Sequence, residues 1–139
     1  MLRRTLVLVS AAAAILAAAG LARAAGEWTP SAWKDLGTLE FLTVGPDEGE
    51  HWSTVWLVVI DNQVYIRLGP TAAGRMEKNT TSPFVSVKIG GQRFDHVRAE
   101  PAPDYAERVG KAMADKYWSD LLIHLFSHPL VMRLAPAGS

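Results

Sequence analysis

The chain has 139 residues, in which 14 Lys and Arg residues balance 14 Asp and Glu residues, and it has no cysteine. The lack of cysteine excludes disulfides, thiolate metal sites and cysteine nucleophiles. Stability therefore has to come from the packing of side chains.

The amino terminus has the layout of a secretory signal. Two arginines near the start precede an apolar stretch over residues 6–22, and a run of small residues ends at Ala25. This layout predicts a signal peptide over residues 1–25, cleaved after Ala24 or Ala25, and hence an exported protein, periplasmic or secreted. The alternative is an uncleaved membrane anchor, because about 18 apolar residues can just span a bilayer.

Cleavage leaves residues 26–139, which suit a single domain. That mature chain holds eleven basic and fourteen acidic residues, a formal net charge of −3, which argues against nucleic acid as a partner. The charge is uneven: residues 26–61 hold one basic and seven acidic residues, whereas residues 67–98 hold six basic and two acidic residues. The middle of the domain is therefore its positive part.

Six segments show strand-like alternation or short apolar runs bounded by turn residues. The continuous apolar run in the second of them predicts burial on both sides. Short turns join most of the segments, which favours antiparallel pairing. The predicted strands are residues 38–44, 53–60, 64–68, 85–89, 92–98 and 130–134.

Two of these strands place a cation opposite an apolar face. In the strand over residues 64–68, three aliphatic residues share one face, which leaves Tyr65 and Arg67 on the other. The strand over residues 85–89 repeats the pattern and places Lys88 opposite its apolar neighbours.

Helix signals appear only before the last strand. Asp104 is predicted to cap a helix over residues 104–117, with Glu107 completing the cap. Ser119 is predicted to start a second helix with an apolar face. The residues of the first helix expected to pack on the sheet are Tyr105, Val109, Met113 and Tyr117.

These elements predict a mainly β fold with α insertions: a small antiparallel barrel with two helices before the last strand. Four tryptophans crowd the amino-terminal half and are expected to serve as core or dimer contacts rather than as a ligand cage. They are Trp28, Trp33, Trp52 and Trp56.

The order of elements resembles that of the split-barrel flavoproteins. The resemblance rests on the hairpin Trp56-Leu57-Val58-Val59 and Val64-Tyr65-Ile66-Arg67, the glycine-containing loop after it, the strand over residues 85–91 and the late helix ending in Lys116-Tyr117. It spans roughly residues 38–135 and is greatest for the DUF2255 family, a small relative of the pyridoxamine 5′-phosphate oxidases and the deazaflavin-dependent nitroreductases. The resemblance implies a split β-barrel, an FMN or deazaflavin cofactor, and a homodimer.

Arg67 ends a core strand, and the small residues of the segment 69–74 follow it. An arginine in this place offers a rigid bidentate donor at the barrel rim, and small residues let a phosphate approach backbone N–H groups. The alternative is an ion pair between Arg67 and Asp61 or Glu77. In the larger superfamily, the end of this hairpin and its loop approach the flavin phosphate. The residues that the resemblance implies as ligands of that phosphate are Arg67, Thr71, Arg75 and Lys88.

Two functions stay open. One is a flavin- or deazaflavin-dependent oxidoreductase, favoured by Arg67 and by the basic middle of the chain. The other is a non-catalytic exported barrel that binds a ligand or a partner without the cofactor. It is favoured by the acidic mature charge and by Arg75-Met76-Glu77, where the family often has an aromatic pair.

A metal site is not predicted. His124 and His128 are four residues apart on the second predicted helix, a spacing that suits a metal, but no acidic partner completes a zinc motif and Pro129 follows directly. The sequence also lacks the G-x-S-x-G elbow of the serine hydrolases.

Overall fold

The computed structural model describes residues 27–117 and 130–138. The predicted signal peptide lies outside these ranges, and so do the helix predicted from Ser119 and the pair His124 and His128. Within the described ranges, no helix is long and apolar enough to cross a membrane.

The described residues form six strands: β1 (Thr38–Gly45), β2 (Gly49–Ile60), β3 (Gln63–Leu68), β4 (Phe84–Ile89), β5 (Gln92–Pro101) and β6 (Leu130–Pro136). They pair antiparallel and close into a barrel in the order β1-β2-β3-β6-β5-β4, with β4 pairing back onto β1. This confirms the predicted antiparallel barrel and its mainly β class. The strand β6 lies between β3 and β5, so the barrel closes only when β6 pairs with both.

The β2–β3 hairpin turns through Asp61 and Asn62, whose φ angles are 51° and 60°. Two consecutive positive φ angles are the mark of the two-residue turn that matches the twist of a hairpin. The β1–β2 hairpin is longer than predicted, because Gly45 pairs directly with Gly49 across its turn. The strand β2 therefore begins at Gly49 and not at the predicted residue 53.

A helix, α1 (Pro70–Glu77), occupies the segment that the sequence predicted as a small-residue loop. Pro70 suits the first turn of a helix because its missing N–H needs no partner there, and the alanines that follow favour helix. Ala72, Ala73 and Met76 pack against the barrel core. The prediction of a loop was therefore wrong, since packing on the core stabilises a helix here.

The helix predicted over residues 104–117 is present as α2 (Ala106–Tyr117), after a 3₁₀ turn over Pro103–Tyr105. Ala102, not Asp104, takes the capping position before that turn, so the predicted cap was wrong. A backbone hydrogen bond explains why the turn begins earlier than predicted. The N–H of Ala102 donates to the carbonyl of Val131 at 2.9 Å, so the turn begins beside β6.

In the part of the chain that the structure describes, two apolar clusters stabilise the fold. The larger fills the barrel interior with side chains from all six strands. The smaller lies on the outer side of the wall, where α2 covers β2, β3 and β6. Val109 and Met113 are 0% and 2% exposed there, which confirms the predicted apolar face of the helix. Tyr105 stacks on Tyr65 with ring centroids 4.9 Å apart.

The tryptophans divide between the two sides of the wall. Trp33 is buried in the interior cluster, and Trp28 packs edge-to-face against Trp33 and Phe94. These two confirm the predicted core role. Trp52 and Trp56 are half-buried on the outer face of β2.

Asn79 fixes the segment between α1 and β4. Its side chain is 5% exposed, its Oδ1 accepts from the N–H of Val44 at 3.0 Å, and its Nδ2 donates to the carbonyl of Phe84 at 3.0 Å. A buried amide with both ends satisfied ties this segment to β1 and β4.

Met113→Asp is expected to unfold the protein, because an unpaired charge would be buried beneath α2 at a loss of more than about 4 kcal/mol. Thermal unfolding by circular dichroism measures the effect. Lys111→Asp is the matched control, since residue 111 is exposed on the same helix. A Met113→Asp protein that melts like its parent would show that this helix face is not buried.

Candidate functional site

Arg67 lies on the outer face of the barrel wall, directly between Trp56 on β2 and Val131 on β6. It is half-buried, and its Nε is fully buried without a hydrogen-bond partner within residues 27–117 and 130–138. Burial lowers the pKa of Arg67, although a guanidinium stays protonated at neutral pH. The fold therefore holds a desolvated cation in this place.

The predicted alternative, an ion pair that neutralises Arg67, is not found in the described ranges. Asp61 instead accepts from Nη2 of Arg108 at 3.0 Å. Glu77 forms no ion pair among the described residues, and its side chain is exposed on α1. Arg67 thus differs from the other arginines of the basic middle.

Those other arginines have carboxylate partners. Arg75 contacts Glu48, Arg93 contacts Asp95 and Arg98 contacts Glu100. Each pair is at least partly exposed, so each contributes little to stability. Three of the six basic residues counted along residues 67–98 are therefore paired with a carboxylate.

Lys88 lies on the outside of the barrel as Arg67 does, but on β4. Its Nζ is 4.1 Å from the centroid of the Trp52 ring, and its cross-strand neighbour is Glu40. In the closed barrel, β4 is three strands from β3 in either direction, so the two strands lie on opposite sides. Outward side chains on opposite sides of a barrel cannot contact the same phosphate.

Thr71 and Arg75 are brought together at a cleft of about 320 Å³ beside α1. Neither Arg67 nor Lys88 lines this cleft. Arg75 donates from Nε to both carboxylate oxygens of Glu48, at 3.1 and 3.2 Å, and this pairing occupies one edge of its guanidinium. The four residues implied as phosphate ligands therefore lie in three separate places.

Lys116 is a structural cation for which the sequence predicted no role beyond its place at the end of the late helix. From the last turn of α2 its Nζ donates to the carbonyl of Leu36 at 2.6 Å and to that of Leu57 at 3.3 Å. Burial lowers its pKa, and the charge of Asp35 opposes that effect. The contact locks α2 to β2 next to Trp56. The one feature of the sequence that indicates this role of Lys116 is its place in the last turn of a helix, where a basic side chain can donate to carbonyl groups.

Metal ligands do not converge in the described part of the chain, where no group of three or more His, Cys, Asp or Glu residues is placed to hold an ion.

A second cleft lies beside the β2–β3 turn, and the sequence did not predict it. Its arginines, Arg98 and Arg133, lie on neighbouring strands.

No family model matches the sequence, and no curated protein matches it. Solved structures do share its fold. An F420-H2-dependent reductase matches with a TM-score of 0.55 and 15% identity, over 72% of this chain and 95% of that protein. The heme storage protein HutZ from Vibrio cholerae matches with a TM-score of 0.56 and 16% identity, over 79% of this chain and 86% of HutZ.

A third structure, described as a domain-swapped dimer, matches with a TM-score of 0.56 and 15% identity, over 73% of this chain and 81% of its own. At such identities the likeness establishes the fold alone. The chain has the split-barrel fold that an F420-H2-dependent reductase and a heme storage protein also have.

Arg67→Met is expected to raise the free energy of unfolding by about 1 kcal/mol, because an apolar side chain of similar length removes an unpaired, desolvated charge. Urea unfolding, followed by fluorescence, measures the change. Arg75→Met is the matched control: it removes an exposed ion pair and should lower stability by less than about 1 kcal/mol. Destabilisation by Arg67→Met would show that the guanidinium has a native partner.

Proposed function

We propose that the protein is an exported split-barrel oxidoreductase that binds a flavin or deazaflavin through its phosphate, with Arg67 as the principal anion-binding residue. The proposal is carried by one observation: the Nε of Arg67 is buried without a partner in the described ranges. A buried donor without an acceptor costs free energy, and an anion that binds as the Arg67 side chain moves outward removes that cost. Phosphate suits this position because a guanidinium donates to it through two parallel hydrogen bonds.

The surroundings of Arg67 suit the rest of such a cofactor. Trp56 lies directly across from it and is half-exposed, so an indole surface borders the cation on the same outer face. A planar ring system packs well against an aromatic side chain. The neighbouring contact of Lys116 with the carbonyl of Leu57 fixes the strand that carries Trp56.

The other implied ligands have secondary roles in this proposal. Lys88 lies on the opposite side of the closed barrel from Arg67, so within one chain it does not contact a phosphate bound at Arg67. Thr71 is exposed in the first turn of α1. Arg75 binds phosphate only by exchanging Glu48 for it.

A flavin or deazaflavin supplies the redox chemistry when it is bound, by accepting and returning a hydride. The contribution of this chain is to bind the phosphate, to orient the ring system against the barrel wall and to exclude water where α2 covers the wall. F420-H2 is the cofactor of one solved structure with this fold, which supports the deazaflavin form.

A second candidate function is a non-catalytic exported barrel that binds a ligand or a partner. The ion pair between Arg75 and Glu48 favours this second function, because a paired Arg75 is less available to bind a phosphate. The separation of the cleft beside α1 from Arg67 favours it as well.

We also infer a homodimer that uses the outer face of β2, where Trp52 and Trp56 are half-exposed. The domain-swapped dimer with the same fold supports this inference. Membership of the DUF2255 family is part of the same proposal and rests on the sequence resemblance.

The test of the oxidoreductase proposal is a calorimetric titration of the cofactor-free protein with FMN and with F420. We expect one of them to bind, and Arg67→Ala to weaken that binding about tenfold to a hundredfold, since a hydrogen bond to a charged group contributes about 1.5 to 3 kcal/mol. Arg108→Ala is the matched control, because Arg108 is an exposed arginine paired with Asp61 and should leave binding unchanged.

Two results would contradict the proposal. If neither cofactor binds at sub-millimolar concentration, the non-catalytic barrel is the better account. If both arginine variants lose affinity equally, the cofactor phosphate does not bind at Arg67.

Export has its own test. We expect the protein purified from its native host to lack its first 24 or 25 residues and to be found outside the cytoplasm, which intact-mass spectrometry of each cell fraction measures. A full-length chain in the membrane fraction would instead support the amino-terminal anchor.

A further inference from the structure

A second cleft lies beside the β2–β3 turn, at the opposite end of β3 from α1. Its volume is about 450 Å³, within the usual range of small-molecule sites, about 300 to 1,000 Å³. None of the four residues implied as phosphate ligands lines it. One wall is apolar and the other is polar. The apolar wall consists of Trp28, Pro30, Leu134, Ala135 and Pro136.

The polar wall is a network across β5 and β6. Arg133 donates from Nη2 to Oε2 of Glu100 at 3.1 Å, and Arg98 donates from Nη1 to Oε1 of the same carboxylate at 3.5 Å. Two guanidinium groups thus share one carboxylate, each through a single contact. Among the described residues that line the cleft, these three alone are charged, and their net charge is +1.

Each guanidinium group has a second neighbour besides Glu100. Arg133 lies directly across from Tyr65, whose side chain is 1% exposed. The hydrogen bond that Arg133 donates to Glu100 raises the pKa of Arg133, and Tyr65 adds to that effect. Arg98 lies over the ring of Phe84, with its guanidinium carbon 5.2 Å from the ring centroid. Such neighbours restrict the arginine side chains, and a restricted donor loses less entropy when a ligand binds.

We propose that this cleft binds a small aromatic monocarboxylate. Its carboxylate accepts hydrogen bonds from Arg98 and Arg133, because each guanidinium has five N–H donors and Glu100 uses only part of them. Its ring packs against Trp28 and the prolines of the apolar wall. A monoanion matches the net charge of the polar wall, whereas a phosphate dianion exceeds it.

The test is a calorimetric titration of the purified full-length protein with 1-naphthoate and, in parallel, with its neutral analogue 1-naphthamide. We expect saturable binding of the carboxylate at millimolar concentration or below, and binding of the amide at least about tenfold weaker, since the amide lacks the charge that the arginines recognise. Quenching of tryptophan fluorescence provides a second readout through Trp28.

The variants are Arg98→Gln and Arg133→Gln, each expected to weaken 1-naphthoate binding about tenfold or more. Arg98→Gln leaves the contact between Arg133 and Glu100 intact, so it provides a test even if the other variant fails to fold. Arg93→Gln is the matched control: Arg93 is likewise two residues before its carboxylate partner on β5 but lies outside the cleft.

Three results would overturn the proposal. They are no saturable binding of 1-naphthoate at millimolar concentration, equal binding of the acid and the amide, and an equal loss of affinity in the Arg93→Gln control. The last would mean that the protein attracts the anion only through its overall charge. Failure of FMN and F420 to bind leaves this test unaffected, because the two sites share no residue.

Discussion

Burial of β3 on both sides is the constraint on which the rest of the structure depends. Its inward residues fill the barrel, and its outward residues lie beneath or beside α2, so only Gln63 at its start is exposed and Arg67 is half-buried. Burial raises the pKa of Tyr65 and lowers that of Arg67, and both changes penalise the charged form. The packing that stabilises the fold thereby also leaves the charge of Arg67 partly desolvated at the candidate cofactor site.

The same strand also connects the two candidate sites. Gln63, its first residue, lines the cleft beside the β2–β3 turn, and Arg67 lies one residue before its end. Between them, Tyr65 supports Arg133 across the ladder to β6. The strand β6 pairs with both β3 and β5. It therefore places Arg133 beside Arg98 of β5, although the two arginines are far apart in the sequence.

The strands and their faces were predictable because alternation is a local property with a period of two. The buried face of α2 was predictable because the helical period is also a local property, and it places Val109 and Met113 on one side. Long-range contacts were not predictable. The partner of Arg75 is Glu48, 27 residues earlier, and no spacing rule signals it. The helix α1 was missed because proline, glycine and small residues are also typical of loops, and only the core contacts of its alanines favour the helix. The place of β6 between β3 and β5 depends on barrel closure, which no single segment encodes.

Asn79 has a consequence for production of the protein in other hosts. Asn79-Thr80-Thr81 has the form of an acceptor for an N-linked glycan. In the folded barrel the amide that would carry the sugar is buried and donates to the carbonyl of Phe84. A eukaryotic secretory pathway therefore reaches this side chain only before the segment between α1 and β4 has closed against β1. A glycan attached in that interval would keep the segment open, so the glycosylated fraction records how slowly this part of the barrel folds.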